Sequence, residues 1–361
     1  MPPPDWSSFR RGLLGWYLPD RRPMPWKGEA DPYRVWLSEI ILQQTRVEQG
    51  RPYFERFAAA YPTVADLAAA PDAAVMKLWE GLGYYSRARN LLRAARTVVA
   101  EHGGAFPDTY TGLRTLPGVG PYTAAAVASF AFGRQVAVLD GNVFRILARY
   151  AGDATPTDTG AGRRHFQALV DRALGDAPAA AFNQAIMDFG ALVCTPRSPG
   201  CATCPLAADC RALAAGTVAD LPVKGKHAAR RDRFLHYLHI TDSAGRLLLH
   251  RREERDIWRH LYQFPLVEAD AVDLRLPQLA TTPDWPDWLP ATSLRALRRS
   301  KAYAHQLSHQ RLAVTFHRLT WDGTGQLPGG MLRVAPDELR RYALPRVITR
   351  YLAEDQPVLD L

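Results

Sequence analysis

A chain of 361 residues with 47% hydrophobic content exceeds one typical domain and carries apolar sequence for two cores. The formal charge of +9 and pI near 9.5 point to a polyanionic partner without saying which one, and the mostly arginine charge suits bidentate phosphate contacts or reflects coding bias. No run approaches the length of a membrane span, and the opening Met1-Pro-Pro-Pro-Asp-Trp6 lacks the basic start and apolar centre of a secretory signal, so a cytoplasmic protein with no membrane partner is expected.

Asp5 to Leu18 reads as a short amphipathic helix, and Arg21-Arg-Pro-Met-Pro-Trp26 as a Pro-broken loop with Trp26 as a core plug. Asp31 and Pro32 are a cap and a first-turn residue, and they predict a helix running to Thr45. Trp36, Glu39 and Gln43 share one of its faces, and Glu39 is flanked by Trp36, Leu37, Ile40 and Ile41. An apolar setting raises a carboxyl pKa by desolvating the anion, although a lone helical glutamate is usually solvated. From Pro52 to His102, short helical runs punctuated by Gly and Pro predict an all-α module, and Trp79-Glu-Gly-Leu-Gly-Tyr84-Tyr-Ser86 echoes the Gly-x-Gly-x-Tyr spacing of residues 118 to 122.

Leu116-Pro-Gly-Val-Gly120 is expected to form a tight hairpin because Gly118 and Gly120 can both take positive φ, with Pro121 leading a helix from Tyr122 to Phe132. Such a hairpin presents free N–H groups at a helix N-terminus, an anchor for a phosphate. Asp140 ends the apolar run from Val136 ahead of a helix beginning at Val143, either as that helix's cap or as a working carboxylate beside the anchor. Phe182 to Phe189 reads as a buried-face helix in which Gln184 is a candidate pocket residue.

All four cysteines then fall in one window, Cys194-x6-Cys201-x2-Cys204-x5-Cys210, with Arg197 inside it and Arg211 just after it. In a reducing compartment this argues for a metal site over disulfides, and the spacing leaves tetrahedral zinc and a [4Fe–4S] cluster both open. Residues 216 to 232 read as a linker. Beyond it, strand-like alternation over Phe234 to Thr241, Arg246 to Arg252 and Leu312 to Trp321, a hairpin signal at Asp242-Ser-Ala-Gly245 and helical runs from Pro336 and Pro345 predict an α+β domain over 233 to 361.

Three of these motifs, in this order, carry a resemblance to one family. Residues 116 to 149 resemble the helix-hairpin-helix and catalytic-Asp segment of the endonuclease III-type DNA glycosylases, Trp36 to Val47 is similar to the MutY-type adenine glycosylases nearly position for position, and the cysteine spacing is the one these enzymes use for a cluster. Trp258-Arg-His-Leu-Tyr-Gln-Phe-Pro265 resembles their Nudix-like C-terminal domain. The resemblance implies a multidomain protein with an all-α glycosylase domain over 1 to 215, made of a six-helix module over about 28 to 136 and a cluster module of the N-terminal helix plus 137 to 215. A Nudix-like α+β domain follows; it has no run of glutamates to hold magnesium, so it should recognise and not catalyse. One [4Fe–4S] cluster on the four cysteines is implied, with Arg197 and Arg211 offering cations to DNA.

The implied activity is removal of adenine mispaired with 8-oxoguanine or guanine in double-stranded DNA. Glu39 would be the acid that protonates the base, Asp140 the anion at a polar hairpin mouth that stabilises the sugar cation, and Tyr122 and Asn142 supports around the sugar and the attacking water. Bifunctional relatives carry lysine at the position of Tyr122, so a monofunctional enzyme without an efficient lyase step follows. Arg22, Met24 and Trp26 would surround the extruded base. Gln44 with Thr45, and Tyr84 with Leu82, would contact and wedge the duplex, and Gly118 and Gly120 would hold its backbone. Leu307, Ser308 and His309 would probe the oxidised guanine, although the family usually has Phe where this chain has Leu307. A monomer, nucleoid-associated in a bacterium, is expected. The alternatives are a thymine or uracil mismatch glycosylase of the same superfamily, or a non-catalytic iron–sulfur DNA-binding protein.

Overall fold

The computed structural model describes residues 3–225, 230–307, 309–323 and 327–355. It divides into two compact units, Met1–Ala70 with Arg89–His227, and Pro71–Ala88 with Ala228–Leu361. Ser308 lies outside the described residues.

The described part of the first unit is helical, and its helices start where side chains satisfy the orphan N–H groups. The Asp5 carboxylate accepts from Ser7 and Ser8 ahead of Trp6–Trp16, Asp31 from Tyr33 ahead of Pro32–Leu42, and Asp140 from Val143 ahead of Gly141–Ala151. The second of these ends at Leu42, short of the expected Thr45. Gln44 takes a φ of 56° and the Thr45 N–H returns to Leu42 O, because the next helix, Val47–Ala60, packs close: a Cβ on Gly50 would stand 2.7 Å from Leu42 Cδ2. In the 116–120 hairpin only Gly118 is left-handed, with φ 76° and no room for a Cβ beside Asn90; Gly120, at φ −83°, is instead the N-cap of Pro121–Phe132.

Phe9, Leu13, Val143, Ile146, Leu147, Phe182 and Phe189 form much of the core, each such side chain contributing about 1.5–3 kcal/mol on burial. The core reaches past the last cysteine to Ala212 and Leu221, so the segment expected to be a linker from 216 begins inside the fold. Arg149, 3% exposed, explains why: its guanidinium donates to Val218 O and Leu221 O as well as to Thr195 O and Pro196 O.

The second unit is built on an eight-stranded sheet. Strands β1 (Arg231–Asp242), β2 (Leu247–Arg251), β3 (Tyr262–Gln263), β4 (Leu266–Ala269), β5 (Leu294–Arg299), β6 (Tyr303–Gln306), β7 (Gln310–Trp321) and β8 (Met331–Val334) include five with no signal in the sequence. β1 and β7 pair in parallel over their whole length, from Arg231↔Gln310 to Asp242↔Trp321. β5 and β6 extend the sheet antiparallel to β7, β2 and β4 pair antiparallel with β1, and β3 and β8 pair with β2. One face packs Tyr237, Phe264 and Phe316 under the helix Arg346–Asp355, where the Phe316 and Tyr351 rings stack at 3.9 Å. Residues 71–88, read from the sequence as part of the all-α module, belong to this unit: the Glu80 carboxylate accepts from Leu344 N–H at 2.9 Å, and Tyr85 donates to Leu344 O at 3.3 Å. Among the described residues, no helix is long and apolar enough to cross a membrane.

Candidate active site

A cavity of about 990 Å³ opens in the first unit, and four elements bring side chains to it. The helix Pro32–Leu42 supplies Glu39, the helix after the hairpin supplies Tyr122, the cap of Gly141–Ala151 supplies Asp140 and Asn142, and Ala179–Leu192 supplies Gln184 and Met187.

Glu39 is 8% exposed and its carboxyl pKa is raised to about 7, first by burial and then by the charge of Asp140, against a hydrogen bond from Tyr122 that lowers it. The Tyr122 phenol is held well above its ordinary value by burial and by the two carboxylates, and its oxygen lies 3.3 Å from Met187 Sδ. Asp140 lies half-buried on the cavity wall. Burial raises its pKa too, and what restrains the rise is its donors: Val143 N–H on Oδ1 at 2.8 Å and Asn142 Nδ2 on Oδ2 at 3.1 Å, with Arg145 nearby. Asp140 is thus a helix cap and a cavity carboxylate at once. Arg145, 7% exposed, fixes the Asn142 amide by donating to its Oδ1 at 2.8 Å while binding Gly190 O and Cys194 O, both at 2.7 Å.

The cavity wall includes Arg22, Met24 and Trp26, and Gln44 and Thr45 beside them. Trp26 is 8% exposed and edge-on to Phe54 at 5.1 Å, so it is a core plug and a cavity wall together. Gly120 also borders the cavity, and no side chain caps the helix that it begins. In the second unit Tyr84 projects, 49% exposed at a φ of 50°, with the Arg87 guanidinium 5.6 Å from its ring and 5.1 Å from that of Trp79. Leu82, named beside it as a DNA contact, is 5% exposed, in a turn closed by Leu82 N–H to Trp79 O. His309 is exposed, whereas Leu307 is half-buried against the apolar core of its unit and its N–H closes a turn to Gln310 O.

Sequence reasoning missed Lys27, Met187 and Asp188. Asp188 is fully buried and pairs with Lys27 Nζ at 2.7 Å; the available signal was a carboxylate in an otherwise uncharged helix, one turn after Gln184.

The four cysteines are half-buried, and Cys204 is pushed up to about 11 by burial, with Cys194, Cys210 and Cys201 adding to the rise. Among the described residues no three ligating side chains converge to hold a single ion. Arg197 is exposed beside this loop, and Arg211 is half-buried against Gly152.

A family model described as HhH-GPD superfamily base excision DNA repair protein matches residues 37–171, and one described as NUDIX domain matches residues 236–354. The chain is therefore of the helix-hairpin-helix base excision class, followed by a Nudix-like α+β domain. It is 37% identical over 313 residues to the adenine DNA glycosylase of Arabidopsis thaliana, covering 74% of this chain and 49% of that one. It is 30% identical over 315 residues to that of Buchnera aphidicola subsp. Baizongia pistaciae, covering 85% and 84%. A solved thermostable thymine-DNA glycosylase superposes with a TM-score of 0.54 at 29% identity over 58% of this chain and 97% of that chain. The chain belongs to the adenine DNA glycosylase family, and spans about half the length of the first of these relatives.

Proposed function

We propose that this chain hydrolyses the N-glycosidic bond of adenine mispaired with 8-oxoguanine or guanine in double-stranded DNA, without an efficient strand-cutting step. The observation that carries the reading is the trio Glu39, Tyr122 and Asp140 around one cavity. Adenine leaves badly, because breaking the bond puts negative charge on the base and positive charge on the sugar. A Glu39 carboxyl with its pKa near 7 is a proton donor at neutral pH, suited to the base, and Asp140, its rise restrained by its two donors and by the nearby Arg145, is suited to face the sugar. Both carboxylates have a role that a non-catalytic DNA-binding protein would not need. Tyr122 has no amine to form an imine, so the bond is broken with water, adenine leaves, and the abasic sugar stays in an uncut strand. Tyr84 and Gln44, both in left-handed conformations that bulky residues rarely adopt, are the proposed wedges that keep the base extruded.

Cys194, Cys201, Cys204 and Cys210 would hold one [4Fe–4S] cluster, a reading that rests on their number and spacing. The cluster would cross-link a loop that Arg149 already ties to the core. The second unit, whose helix Arg346–Asp355 pairs Glu354 with Lys301 at 3.2 Å, would read the base opposite adenine through His309, in a monomer working in the cytoplasm. The test is single-turnover excision from duplexes carrying A opposite 8-oxoguanine, A opposite G, and T or U opposite G, together with iron analysis. Excision of adenine with about four irons per chain is expected. Excision of thymine or uracil instead, or stoichiometric zinc, would overturn the corresponding part.

A further inference from the structure

Glu39 alone does not explain why adenine would be chosen. The edge of a purine that carries N7 shows an acceptor at N7 in adenine and guanine alike, and the two differ at the neighbouring atom, a donor N6–H₂ in adenine and an acceptor O6 in guanine. A proton delivered to N7 suits both. Selection needs an acceptor facing the six-position.

Gln184 borders the cavity and is the nearest amide on the helix that also carries Asp188. An amide side chain can present either its oxygen or its nitrogen, so by itself it selects nothing. Here it is not free to turn. Its Nε2 donates to Asp188 Oδ1 at 3.1 Å, and Asp188 is fully buried and bound to Lys27 Nζ at 2.7 Å and Arg22 Nη1 at 3.4 Å. A carboxylate paired with an ammonium and a guanidinium accepts and does not donate. The Gln184 nitrogen must therefore face it, and the planar amide turns Oε1 away from it.

We infer that Asp188 is a positioning residue that sets purine specificity, by locking the Gln184 amide so that its carbonyl oxygen accepts from an amino group on the six-position of the extruded base. Lys27 is part of the lock: its ammonium, 9% exposed, also donates to Arg22 O at 3.3 Å and lies 5.3 Å from the centre of the Tyr17 ring, so the charge that keeps Asp188 an acceptor is itself held in place. The inference rests on the adenine glycosylase reading and deepens it, since the substrate class becomes a purine with a six-amino group.

The test compares single-turnover excision of adenine and of hypoxanthine, which carries a six-oxo acceptor, from otherwise identical duplexes by the intact protein. Wild type should prefer adenine. Asp188→Asn can offer the amide either an acceptor or a donor, and the preference should fall by roughly tenfold to a hundredfold, the worth of one buried polar contact. The double change Asp188→Asn with Gln184→Glu keeps one carboxylate beside Lys27 and Arg22, and supplies an acceptor to the base whichever way the side chain turns. It should restore the preference, and it decides the matter even if the single variant folds poorly. A merely structural Asp188 would slow both substrates equally, and an unchanged ratio in Asp188→Asn or an unrestored one in the double variant overturns the inference. Wild-type protein that releases no adenine would overturn the functional reading instead, whereas wild type that releases adenine and hypoxanthine alike would sink this inference alone.

Discussion

Glu39 in the first unit and the half-buried Asp256 and Glu268 in the second are given opposite kinds of partner. In the second unit Arg233, 7% exposed, donates to Asp256 at 2.8 Å and Glu268 at 2.6 Å, and Arg252 joins Asp256 at 2.6 Å. Burial pushes Asp256 up, but the bonds from Arg233 and the two guanidinium charges outweigh it and hold its carboxyl below the ordinary range. In the first unit the partner given to Glu39 is a phenol, which cannot neutralise a charge, so burial wins and the carboxyl titrates near 7. A guanidinium partner turns a buried carboxylate into a fixed part of the framework; a phenol leaves it a proton to give.

The largest expected effect breaks the cavity side of that comparison. Glu39→Gln keeps the shape and removes the proton, and single-turnover adenine excision should fall by about a hundredfold to ten-thousandfold while binding to the mismatch is retained. Excision within about tenfold of wild type would remove Glu39 as the acid.

The framework side breaks at Arg233. Arg233→Met leaves Asp256 and Glu268 without their main donor and should cost about 3 kcal/mol of stability, read by denaturant unfolding. The pH profile of excision should not move, because Glu39 keeps its own surroundings.

A smaller and pH-dependent effect sharpens the contrast. The folded-state pKa of Glu39, about 7, lies above its ordinary value of 4.5, so burying this group costs nothing below about 4.5 and progressively destabilises the fold as pH rises to about 7. Glu39→Gln should accordingly be no more stable than wild type at pH 4 and more stable above pH 7, by at most about 3 kcal/mol. Excision by wild type should decline as pH rises through about 7, where the folded protein loses this proton. Stability curves that run parallel from about pH 4 to above about pH 7 would mean that folding does not raise the Glu39 pKa.

The smallest effect tests where the hairpin presents position 122. Tyr122→Lys puts an amine beside Glu39 and Asp140, and a low level of strand cleavage with a borohydride-trapped complex is expected on an adenine mismatch. Excision without trapping would show that the amine does not reach the sugar.

The sequence by itself carried whatever depends on short-range chemistry. Asp31-Pro32 starts a helix, Gly118 makes a turn that tolerates no Cβ, Asp140 caps the helix that follows, and the apolar neighbours of Glu39 announce its raised pKa. These signals are local because a cap, a positive φ and a helix face are defined within a few residues. The short strands β3 to β6 and β8 were illegible, since two to six residues leave no periodicity to read. Residues 71–88 belong by sequence to a run of helices, whereas long-range bonds such as those of Lys77 to Tyr342 and of Glu80 and Tyr85 to Leu344 join them to the other unit. Likewise nothing near Asp188 in the sequence names Lys27 or Arg22, because the partners of a buried charge are chosen by packing across 161 and 166 residues of chain. The tertiary structure alone decided which carboxyl met a guanidinium, an ammonium or a phenol, and in a low-dielectric interior that choice of partner sets whether the group holds its charge or yields a proton.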